Sequence, residues 1–139
     1  MKIMGIDYGD ARTGVSISDP TGFLAGSPQV IPSWNTEKLL DELTELCRRE
    51  RIEEIVLGLP KNMNASEGEH AEKCKAIGAE LEKRTGLPVV MWDERRTTVE
   101  AHAILHATGK KQKKHKKNVD AVAASLILQG YLDYKRMHG

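Results

Sequence analysis

Cysteine, aromatic residues and net charge are all scarce in this chain. Its two cysteines, Cys47 and Cys74, stand far apart, which excludes both a close-spaced metal-ligand pair and a disulfide framework; both read as reduced core thiols. Aromatic residues make up 4% of the sequence. Extensive stacking on unpaired bases is therefore limited, and recognition of shape or backbone is favoured instead. The formal net charge of +1 names no partner. No apolar run approaches the roughly 20 residues needed to span a bilayer, and no apolar leader precedes the first strand. A cytoplasmic protein without a membrane partner is the expectation.

What is present reads as one domain over residues 1–139, with 40% hydrophobic and 29% charged residues, enough to bury a core unaided. Lys2 to Gly9 form an apolar strand that ends in a carboxylate, Asp7. Alternation puts Ile3, Gly5 and Asp7 on one face and Met4, Ile6 and Tyr8 on the other. Gly5 leaves room for a helix to approach. Thr13, Val15 and Ile17 alternate with small or polar residues as an antiparallel second strand, and Phe23 to Ile31 supplies a third. From Asn35 the period becomes helical, with Leu39, Leu40, Leu43, Leu46 and Cys47 on one side.

Ile55 to Leu59 is a continuously apolar run that suits a parallel strand covered on both faces. Ser66 and Glu69 have the spacing of a capping box opening a helix to about Arg84. Val89 to Trp92 is a fifth strand, delivering Asp93 and Glu94, and Thr97 opens a short helix to about Ala107. Gly109 to Asn118 reads as a loop. The last helix starts at Val119, with an apolar stripe of Val122, Ala123, Leu126, Ile127 and Gly130. The expected fold is α/β: a mixed five-stranded sheet, a three-strand antiparallel meander plus two parallel strands, with the first strand central and helices on both faces.

Asp7, Glu94 and Asp120 are the candidate catalytic and metal-ligating residues. Asp7 and Glu94 end strands at the carboxyl edge of the sheet, where open α/β sheets place their sites. Asp120 is read on the first turn of the last helix, and the small residues Ala121, Ala123 and Ala124 let that turn approach the sheet. Three gathered carboxylates repel one another unless hard divalent cations neutralise them, so Mg²⁺ or Mn²⁺ is expected. Two such ions support in-line phosphodiester hydrolysis. The single-residue alternatives are ordinary ones: a helix-dipole contact for Asp120, and a surface pair with Arg95 or Arg96 for Glu94.

Lys110, Lys111, Lys113, Lys114, Lys116 and Lys117 lie in sequence between Glu94 and Asp120, where they would gather a polyanion. A solvated lysine loop is the bland alternative. Arg12, Lys61, Asn62, Asn64, Thr97 and Thr98 are further candidates for phosphate contacts from loops and helix starts at the same edge. His102 and His106 are four apart, but Ala103 stands where a zinc-protease motif has its glutamate.

Met4-Gly5-Ile6-Asp7-Tyr8-Gly9, Arg12-Thr13-Gly14-Val15, Val56-Leu57-Gly58-Leu59-Pro60, Ser66-Glu67-Gly68, Asp93-Glu94-Arg95 with Thr97-Thr98, and Asp120-Ala121-Val122-Ala123-Ala124 together resemble the YqgF (RuvX) family, in order and over essentially the whole chain. The resemblance implies an RNase H-like fold, kinship with the RuvC Holliday junction resolvases, and a nuclease acting in 5′-end maturation of pre-16S rRNA. It carries the acid roles to Asp7, Glu94 and Asp120, and makes structured RNA, branched DNA and ribosomal precursor particles the expected partners. Where the resolvases bring a second acid on the next strand, this chain has Gly58-Leu59-Pro60, so Glu94 substitutes from the strand beyond. A non-catalytic nucleic-acid-binding module is the competing class. An actin-like ATPase is disfavoured because such folds place two related domains around the nucleotide.

Overall fold

The computed structural model describes residues 1–26, 28–59, 68–93 and 112–138, the side chains of 93 and of 112–121 excepted. Strands β1 (Ile3–Asp7), β2 (Arg12–Ile17), β3 (Gln29–Pro32), β4 (Glu54–Leu59) and β5 (Val89–Asp93) form one sheet in the order β3-β2-β1-β4-β5. Both β1–β2 and β2–β3 are antiparallel, while β4 and β5 run parallel to β1. The apolar β1 is therefore central, as expected of the strand with least to gain from solvent.

Helices α1 (Thr36–Arg49) and α2 (Glu69–Thr85) cover one face, and α3 (Gln112–His138) covers the other. Asn35 caps α1 by accepting from the Lys38 amide at 3.2 Å, which satisfies an otherwise orphaned helix donor. Leu39, Leu40, Leu43, Leu46 and Cys47 are all buried on the sheet, as their spacing predicts. Gly86 ends α2 at φ 72°, a left-handed cap that favours glycine. Arg84 fastens α1 to α2: its guanidinium donates to Glu37 at 2.7 Å, Asp41 at 2.9 Å and Glu80 at 3.2 Å.

Pleating divides β1 between two cores. Met4, Ile6 and Tyr8 join the α1 and α2 core, whereas Ile3 packs with Ile127, Leu128, Tyr131 and Leu132 of α3. Gly5 is the point of closest approach. A Cβ there would lie 2.6 Å from Leu128 Cβ and 3.1 Å from the Ala124 carbonyl oxygen, so only a residue without a side chain admits the helix.

Several boundaries differ from expectation. The third strand is Gln29–Pro32, not Phe23 to Ile31. The chain before it is tied elsewhere: the Phe23 and Leu24 amides donate to Asp19, and the Ala25 amide donates to Gln129 of α3. Gly68, not Ser66, is the N-cap of α2, and it offers no side-chain cap. The last helix already runs from Gln112, the first residue described there, and does not wait for Val119, so the segment read as a loop is helical from that point. Lysine is a good helix former, and the absence of apolar residues removes packing, not helicity. Its buried stripe is Ala123, Ala124, Ile127, Leu128, Tyr131 and Leu132, with Val122 and Leu126 only half-buried. The helix expected over 97–107 lies outside the described residues.

Candidate functional site

Asp7 ends β1 on the α3 side of the sheet, half-buried at the carboxyl edge. The position follows from alternation, since Ile3 and Gly5 precede it on that face. Its neighbours across the sheet are unusual. Asp7 pairs with Gly14 on β2, and one step beyond the Ile6↔Leu57 pair on the other side lies Gly58 of β4, which itself pairs with Trp92 of β5. Paired residues share a face. The carboxylate thus has a glycine directly opposite it on each adjacent strand, with Trp92 one strand further on.

The turn after Asp7 is held firmly. A Cβ at Gly9 would collide with the Arg12 carbonyl oxygen, so the tight turn there requires glycine. Ser33 donates its hydroxyl to the Gly9 carbonyl at 2.5 Å and its amide to the Ala11 carbonyl at 2.9 Å. On the opposite face a ring nitrogen of His70 lies 3.0 Å from the Tyr8 carbonyl oxygen, and the two rings stack at 5.5 Å. A turn anchored this way fixes the backbone that carries Asp7, which suits a ligand or an acid held for chemistry.

Helix α3 runs antiparallel to β1, because Leu128 and its C-terminal neighbours meet Ile3 while Ala124 meets Gly5. Moving two residues along β1 from Gly5 to Asp7 covers about 6.6 Å, and moving one turn back along the helix from Ala124 to residue 120 covers about 6 Å. The backbone of Asp120 therefore continues the 124–128 row in the direction of Asp7. Asp120 is at least the ninth residue of α3, not a first-turn residue as expected. A helix-dipole explanation for it falls away, since that influence is confined to the first turn. Residues 112–119 carry the helix a further 12 Å or so toward the same end, and with it the backbone of Lys113, Lys114, Lys116 and Lys117.

The remaining expected site residues are distributed as follows. Arg12 opens β2 two residues before Gly14, on the same face and edge, opposite Pro32. Glu94, Lys61, Asn62, Asn64, Thr97, Thr98, Lys110 and Lys111 lie outside the described residues. Among the described residues no three His, Cys, Asp or Glu side chains gather to hold a metal ion. Sequence reasoning missed Gly14 and Gly58 as the residues opposite Asp7; a glycine inside each strand pattern was the available signal.

A family model described as RuvX, Holliday junction resolvase, matches residues 1–134. The chain belongs to the RuvX family. One relative of this RuvX chain, from Halothermothrix orenii, is 46% identical over 140 residues, covers all of both chains, and is named "Putative pre-16S rRNA nuclease". Another so named, from Clostridium novyi, is 42% identical over 96% of this chain and 98% of its own. Among solved structures, T. thermophilus RuvC in complex with a Holliday junction substrate superposes with a TM-score of 0.66 at 15% identity, over 99% of this chain and 96% of that one. Such identity shows a shared fold, the mixed five-stranded sheet expected of an RNase H-like protein. No helix among the described residues is long and apolar enough to cross a membrane.

Proposed function

We propose that this RuvX chain is a divalent-metal-dependent endonuclease acting on structured nucleic acid, with the 5′ end of pre-16S rRNA as its substrate, ribosomal precursor particles as its setting and the cytoplasm as its location. One observation carries the reading. A half-buried carboxylate, Asp7, lies opposite glycines on the sheet face that α3 covers, and the backbone of residue 120 lies one helical turn beyond the Ala124 contact with Gly5.

This arrangement fits a hard cation. Carboxylate oxygens are the preferred donors for Mg²⁺ or Mn²⁺, and glycine at both positions opposite Asp7 adds no side chain of its own beside them. In the proposed set Asp7, Asp120 and Glu94 hold the metal, Glu94 lying two residues beyond Trp92 in sequence. When bound, a pair of such ions supplies a nucleophilic water and stabilises the leaving oxygen of an in-line displacement. The chain itself does the rest. In this reading the β1–β2 turn holds the backbone of Asp7, α3 carries the backbone of residue 120, and Arg12 with the lysines at 110–117 draws in phosphate.

The alternative substrate is four-way DNA, and the description of the family model favours it. An assay of a pre-16S RNA fragment beside a four-way DNA junction, each with Mg²⁺ or Mn²⁺, separates the two. Cleavage of RNA that vanishes in Asp7→Asn supports the leading reading, and cleavage of the junction alone replaces it. Activity undiminished in a verified Asp7→Asn protein refutes the site for both substrates.

A further inference from the structure

Trp34 is 81% exposed, an uncommon state for the residue with most apolar surface to lose from water. It follows β3 at the same sheet edge as Asp7 but faces a cleft of about 630 Å³ on the other side, between the starts of α1 and α2. The floor of that cleft is apolar, made by Tyr8, Leu40 and Ile77, and its rim carries Asp10, Glu37 and Glu80. Asp10 is paired with Lys73 at 3.2 Å, and Arg84 binds Glu37, Glu80 and the adjacent Asp41. Among the described residues, the cleft rim and its ion-pair partners thus set four carboxylates against two cations. The cleft keeps an excess of negative charge beside an exposed indole.

That combination selects its occupant. A nucleic-acid strand brings phosphates, which the rim repels. A cationic side chain gains from each part: its aliphatic stem lies on Leu40 and Ile77, its head meets the rim carboxylates, and the indole face of Trp34 attracts it through the ring quadrupole. We propose that this cleft docks an arginine or lysine side chain from an extended basic segment of a protein partner. The surface lies across the sheet from the nuclease site, so it can hold a partner while nucleic acid is engaged at Asp7. The proposal does not depend on which phosphodiester is cut.

The test is calorimetric titration of the full chain with a short peptide of alternating arginine and glycine, and with a matched peptide of glutamate and glycine. The arginine peptide should bind saturably and the glutamate peptide should not. Trp34→Ala should weaken the arginine peptide about tenfold, as loss of an aromatic anchor does. Its exposed position spares the fold. Glu37→Gln, which leaves the indole in place, should weaken it as well, and both variants should retain RNA binding. Equal affinity in Trp34→Ala, or no saturable binding by the wild-type chain, overturns the proposal. So does a loss of RNA binding in Trp34→Ala with peptide binding intact, which would make the indole a stacking platform for a base.

Discussion

Gly5 of β1 and Leu128 of α3 are in such close contact that a Cβ added at position 5 would lie 2.6 Å from Leu128 Cβ. This contact sets the distance between the central strand and the helix that carries Asp120. Gly5→Ala should push α3 outward and cost about 1–3 kcal/mol, the usual range for overpacking a close-packed core. Urea denaturation measures the loss. Because the same displacement lifts residue 120 from the Asp7 face, nuclease activity should fall in Gly5→Ala even under conditions where the variant is fully folded.

The glycine opposite Asp7 on β2 gives a second test. Gly14→Val places a β-branched side chain next to the carboxylate, in a strand position that such residues favour. Folding should survive within the same overpacking cost, read by circular dichroism and urea denaturation. Mn²⁺ binding should be lost, because the new side chain occupies the space the hydrated ion needs.

Asp19 organises the turn between β2 and β3. The Thr21 hydroxyl and the Leu24 and Phe23 amides donate to its carboxylate and hold its pKa down to about 2 from 3.8. A carboxyl whose folded pKa is depressed stabilises the native state above its unfolded pKa and loses that contribution as pH falls through the folded value. The melting temperature should therefore drop between about pH 4 and pH 2 in a way that Asp19→Ala abolishes. Carboxyl-detected NMR titration of Asp19 reads the shift directly.

Burial pushes the Cys47 thiol up to about 11, and its Sγ lies 3.9 Å from Met4 Sδ in the α1 and α2 core. Thiolate is the reactive form, so the native chain should resist alkylation at neutral pH, while urea-unfolded chain should react at both cysteines. The sign for stability is opposite to that of Asp19. A raised folded pKa leaves the thiol protonated where the unfolded chain ionises, so this contribution fades as pH rises from about 9 toward 11.

How much of this was legible in the sequence depends on which period carries the information. The two-residue period of β1 told correctly that Ile3, Gly5 and Asp7 share a face, and that a helix could settle on Gly5, because a strand's pleat is local. Ala124 and Leu128 make that contact, and the turn bearing Asp120 lies beyond them. The helix runs on before the Val119 start that its apolar stripe suggests, because hydrophobic period marks where a helix packs, and Gln112 to Asn118 extend it without packing signals. Gly14 and Gly58 were visible as glycines inside strands but not as neighbours of Asp7, since register between strands is set by pairing across the sheet. Trp34 was likewise invisible as an exposed residue, because exposure is decided by what α1 and α2 leave uncovered.

The proposed nuclease chemistry requires that Asp7, Glu94 and Asp120 share bound divalent cations. Electron paramagnetic resonance titration of Mn²⁺ into the wild-type chain and into Asp7→Asn, Glu94→Gln and Asp120→Asn, without nucleic acid, tests it most directly. Saturable Mn²⁺ binding by the wild type, weakened at least about tenfold in each of the three folded variants, is the predicted result. Mn²⁺ binding that is the same in the wild type and in Asp7→Asn or Asp120→Asn would contradict it.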